Sequence, residues 1–135
     1  MGLLEGGALT GKYLEEGSDR GRLDVEGDRA SERVLAIARE VVAVAEEARR
    51  TASQVAINWI RQQPGVIIPI VAATEEAQIR DNLACLDFDL TPDQIERLEK
   101  AASIHLGFPH SFLGSDHVRE LIFGETWARI DNHRA

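Results

Sequence analysis

At 135 residues, 44% hydrophobic and 28% charged, the chain has the composition of one globular domain rather than of a disordered or membrane-embedded segment. Its formal net charge of −8 repels nucleic acid and anionic lipid, so neither is expected as a partner, and a phosphorylated ligand could be held only in a locally basic pocket. The longest apolar run, residues 66–73 broken by Pro69, is far shorter than the roughly 20 residues of a membrane span, and residues 1–9 lack a basic start and a cleavage site, so a cytoplasmic location is expected.

Residues 1–28 read as loop, punctuated by Gly6, Gly7, Gly11, Gly17, Gly21 and Gly27 with no sustained apolar period. Residues 29–63 read as helices. In the first, running from Ala30 to Arg50, Val34, Ile37, Ala38, Val41, Val44, Ala45 and Ala48 form one stripe, opposite Glu40, Glu46, Glu47 and Arg49. Thr51 followed three residues later by Gln54 is a capping-box pattern, restarting a helix whose inner face is Ala52, Val55, Ala56, Trp59 and Ile60. Pro64 and Gly65 end it.

Residues 66–71 are β-branched or proline with no polar alternation, which predicts a parallel strand buried on both faces, with Pro69 at a bulge or strand end. Residues 74–104 return to helix. Thr74 is placed to cap, with Glu75 and Glu76 in the first turn and Ile79, Leu83 and Leu86 facing inward. A second start follows at Thr91-Pro92-Asp93-Gln94, with N-cap, first-turn proline and capping-box glutamine, and Ile95, Leu98 and Ala102 as its stripe. The tail, residues 105–135, mixes aromatics and histidines around a short helix expected from Ser115 to Phe123.

The order loop, two helices, strand, two helices, tail is an α/β alternation seen through a narrow window, mostly helical by residue count. One strand cannot make a sheet. A lone strand leaves its donors and acceptors unpaired, so the chain is expected to belong to a larger barrel or to borrow strands from another copy. Cys85 is the single cysteine and reads as core packing, as does Trp59. His105, His110, His117 and His133 show no metal-ligand spacing, so no metal is expected.

Two segments suggest chemistry. The first, residues 3–13, has consecutive glycines, Gly6 and Gly7, then Gly11 before Lys12; glycines let a backbone approach a diphosphate and lysine adds a cation, although a plain glycine-rich turn has the same composition. In the second, the expected strand feeds the helix beginning near Thr74, and a strand end meeting a helix N-terminus offers N–H groups to an anion, against which Glu75 and Glu76 would compete.

Together these segments resemble the aldo-keto reductases. Gly6, Gly7 and residues 9–13 follow a pattern like Pro-Leu-Ala-Gly-Gly-x-Leu-Thr-Gly-Lys-Tyr that in the family follows the seventh barrel strand, with Leu3 and Glu5 replacing its proline and alanine. Residues 68–74 with Gln78 and Asn82 follow the pattern after the eighth strand, like Ile-Pro-Ile-x-Gly-x-Arg/Ser/Thr and then Gln and Asn four apart. The likeness continues through Leu90-Thr91-Pro92 into residues 106–113 and covers essentially all 135 residues.

The resemblance implies a partial (β/α)8 TIM barrel covering strands seven and eight with their helices and the C-terminal tail, as a single incomplete domain. It implies an NADP(H) site, with NAD(H) as the other option, in which Gly7, Lys12 and Arg22 meet phosphate, Ala72 is the point of close backbone approach, Thr74 meets the ribose 2′-phosphate region, and Gln78, Asp81 and Asn82 the adenosine end. Ala72 stands where the family has glycine, and Thr74 lacks the charge of an arginine. Phe108, Phe112 and Trp127 would border the substrate opening or pack on the barrel.

Family members reduce a carbonyl by hydride transfer, using a tyrosine, lysine, aspartate and histidine on earlier strands. Tyr13, the only tyrosine, aligns to the glycine segment, so no catalytic tetrad can be built here. Three readings follow: part of a carbonyl reductase that needs the N-terminal portion of its barrel, a self-associating structural module without catalysis, or a regulatory piece that binds nucleotide without turnover.

Overall fold

A computed structural model describes residues 3–14 and 31–130. The chain divides into two compact units, one ending at Ala102 and the other beginning at Ser103.

In the first unit, α1 (Glu32–Ala48) starts at Ser31, whose side chain accepts from the Val34 N–H at 3.4 Å. It ends where Arg49 turns left-handed at φ 53° and the Arg50 N–H reaches back to the Ala45 carbonyl at 2.9 Å. The helix α2 (Ala52–Arg61) opens with the expected capping box: Gln54 N–H donates to Thr51 Oγ1 at 3.3 Å, and Thr51 N–H to Gln54 Oε1 at 3.4 Å. α3 (Glu76–Leu83) runs into a 3-10 turn (Ala84–Asp87), and α4 (Pro92–Ala102) follows with the reciprocal Thr91–Gln94 bonds the sequence predicts.

The stripes meet in one core. Val41, Val44 and Ala45 of α1 pack with Val55 and Ala56 of α2, Leu98 of α4 and Leu90 before it. Each valine or leucine removed from water there stabilises by about 1.5–3 kcal/mol. Trp59 packs partly buried at its edge, and Cys85 is buried.

Among the described residues there is no strand, so residues 66–71 depart from the predicted one. Val66, Ile68 and Ile70 are 93%, 81% and 91% exposed. A strand is completed by hydrogen bonds to a neighbour, and the described residues supply no ladder for it. The described residues are thus mostly helical and form no part of a barrel sheet. Leu83, at the end of α3, and Leu86, in the turn after it, were expected to face inward and are 55% and 59% exposed.

In the second unit, α5 (His110–Leu113) precedes α6 (Asp116–Phe123), which follows Ser115 as predicted, and a 3-10 turn (Gly124–Arg129). Its aromatics pair with one another: Phe108 with Phe112 at 6.0 Å between centroids and Phe123 with Trp127 at 5.1 Å. The Arg119 guanidinium lies over the Trp127 ring.

Candidate functional site

The glycine segment folds into a 3-10 turn (Glu5–Thr10) broken by left-handed Gly6 and Gly7, at φ 63° and 93°. The Gly7 N–H donates to the Leu4 carbonyl at 2.8 Å, and the Gly7 carbonyl accepts from Thr10 Oγ1 at 2.7 Å. Lys12 folds back over this turn. A Cβ on Gly7 would lie 2.8 Å from Lys12 Cε and 2.9 Å from Nζ, so glycine is what lets the ammonium sit against the backbone. The same ammonium lies 4.6 Å from the Tyr13 ring centroid, and Tyr13 OH donates to the Gly6 carbonyl at 3.4 Å. The turn as a whole packs on α1 and α2.

The second segment differs from expectation at its cap. α3 begins at Glu76, after Glu75, and not directly behind Thr74. Instead of Thr74 accepting from the helix, its own N–H and hydroxyl both donate to Gln78 Oε1, at 3.2 and 3.3 Å. The two residues assigned to the 2′-phosphate region and the adenosine end are therefore in contact, beside an open hollow lined by Val71, Ala72, Ala73, Glu75 and Ile79. Arg80 is turned to Glu76 at 2.6 Å.

Asn82, assigned with Gln78 to the adenosine end, is 9% exposed while Gln78 lies open to solvent. Asp81 is engaged with α2: its Oδ2 accepts from Thr51 Oγ1 at 3.0 Å and its Oδ1 from Gln54 Nε2 at 2.7 Å. Sequence reading missed this second use of the capping pair. The available signal was the two side-chain donors that a capping box leaves over. Arg22, assigned to phosphate, lies outside the described residues.

Burial pushes the Cys85 thiol above its ordinary range, which disfavours the reactive thiolate. Among the described residues, no three His, Cys, Asp or Glu side chains converge as a metal site, and no helix is long and apolar enough to cross a membrane.

A lysine ammonium laid on a glycine turn and a threonine–glutamine pair at the mouth of a helix are polar groups suited to a phosphorylated ligand. The aldo/keto reductase family model matches residues 1–103, and the chain belongs to that oxidoreductase family, whose membership implies a TIM barrel. It is 29% identical over 109 residues to AAD14 of Saccharomyces cerevisiae, named as an aryl-alcohol dehydrogenase, covering 78% of this chain and 29% of that protein. A second such Saccharomyces cerevisiae protein is 28% identical over 78% of this chain and 72% of its own length. Norsolorinic acid reductase B of Dothistroma septosporum is 28% identical over 84% of this chain and 30% of its own length. The chain thus spans under a third of two of these three relatives.

Proposed function

We propose that the chain is the cofactor-holding C-terminal portion of an NADP(H)-linked aldo/keto reductase, corresponding to barrel strands seven and eight with their helices, and catalytic only when joined to the rest of the barrel. The observation that carries this reading is the Lys12 ammonium resting on Gly7 within a segment that matches the family. Lys12 would neutralise the cofactor diphosphate, a role the family resemblance also gives Arg22, while the Thr74 hydroxyl and Gln78 amide would meet the ribose and adenosine end. Ala72 would approach less closely than a glycine. The bound nicotinamide would supply the hydride exchange with a carbonyl or alcohol carbon. The relatives' names point to an aryl alcohol as the substrate class.

A second reading is favoured by the exposure of Val66, Ile68 and Ile70: a module that associates with copies of itself and does no chemistry. Titration of the chain with NADPH by calorimetry, alongside its oligomeric mass, separates the two. Binding that is weakened at least tenfold by K12M and by Q78A supports the cofactor site. Absence of binding at millimolar NADPH overturns it. Carbonyl reduction by this chain alone would refute the need for the remaining barrel.

A further inference from the structure

In the capping box of α2, each side chain keeps donors in reserve. Thr51 Oγ1 accepts from the Gln54 N–H, and Gln54 Oε1 accepts from the Thr51 N–H, which leaves one hydroxyl proton and one amide NH2. All of these end on one residue of another helix. The Thr51 hydroxyl donates to Asp81 Oδ2 at 3.0 Å, and Gln54 Nε2 donates to Asp81 Oδ1 at 2.7 Å and to its backbone carbonyl at 3.0 Å. The carboxylate also sits at the positive end of α2, where a negative charge is stabilised. Gln54 is itself buried.

We infer that Asp81 is a positioning residue that fixes the rotation of α3 and thereby presents Gln78 to the ligand, without touching the ligand itself. This rests on the cofactor reading above. Both oxygens of the carboxylate accept from α2, so swinging the side chain away toward a nucleotide base would break charge-assisted bonds. Anchoring side chain and main chain of the same residue holds the helix against rolling about its axis. With Asp81 held toward α2, Gln78 lies in solvent and Asn82 is buried.

The test is a donor–acceptor exchange in the full chain. Q54E keeps the acceptor that caps the Thr51 N–H but places a carboxylate against Asp81, and Q54E/D81N restores a donor facing an acceptor. NADPH affinity is expected to fall about tenfold in Q54E, in line with the loss of a charge-assisted bond, and to recover at least in part in Q54E/D81N. Amide exchange across residues 76–83, read by mass spectrometry, should quicken and recover in parallel while α4 stays unchanged.

Affinity lost in D81N but unchanged in Q54E would show that Asp81 meets the nucleotide directly and would overturn the inference. So would exchange across α3 that is the same in all variants. If the wild-type chain fails to bind NADPH, the cofactor reading falls and with it the presentation of Gln78, while the exchange data still decide whether Asp81 holds α3.

Discussion

The fully buried amide of Asn58 donates to the backbone carbonyl of Phe88 at 2.7 Å, fastening the chain that leads into α4 onto α2. Its oxygen is occupied as well, accepting from Arg61 Nε and Nη2 at 3.1 and 2.8 Å. Arg61 continues to Asp89 at 3.1 Å, and Gln62 Oε1 accepts from the Leu90 N–H at 3.0 Å. Truncation at Asn58 would remove the side-chain donor to the Phe88 carbonyl and leave Arg61 with Asp89 alone. N58A is expected to destabilise by about 2–4 kcal/mol, seen as a lower urea midpoint with an unchanged slope; a loss under 1 kcal/mol would show that these bonds are replaced.

Arg49 occupies the left-handed position that ends α1, at φ 53°, where a Cβ is disfavoured. Its side chain is exposed. R49G removes the Cβ conflict at the cost of a looser unfolded chain, so a gain of about 0.5–1 kcal/mol is expected. A lower melting temperature in R49G would contradict this.

The Arg97 guanidinium of α4 bridges two carboxylates of α1, Glu40 at 2.7 Å and Glu47 at 2.8 Å. Its hydrogen bonds hold the Glu47 carboxyl below the ordinary value of 4.5. A depressed carboxyl contributes stability above its unfolded pKa, and that contribution is lost as pH falls through the folded one. The melting temperature of wild type should therefore exceed that of E47Q at pH 7, and the two should converge as pH drops below 4.5. A gap that persists in acid would exclude the Arg97 pairing as its source.

Val66, Ile68 and Ile70 recur at every second residue, so extended backbone sets them on one side. An apolar edge of that kind pairs with other chains unless charge interrupts it. Light scattering is expected to give wild type a mass above that of a monomer, and V66K/I68K/I70K the monomer mass. Monomeric wild type at 100 μM, on the order of typical assay concentrations that expose weak pairing, would refute this.

What the sequence determined by itself is local. The caps at Thr51 with Gln54 and at Thr91 with Gln94 were legible because partners three residues apart meet within a single turn, and the stripe of α1 because a helix repeats its inner face at fixed spacing. The glycines of residues 6–11 marked a turn beside a lysine, but that Lys12 folds back over Gly7 is seen only in the structure. The tertiary structure decided the rest. Residues 66–71 had the composition of a strand, but a ladder needs a second segment, which no local pattern supplies. The family resemblance assigns Asp81 to the adenosine end, and its hydrogen-bond partners lie 27 and 30 residues earlier. Only the packing of α3 on α2 brings these groups together, because no local pattern spans that distance.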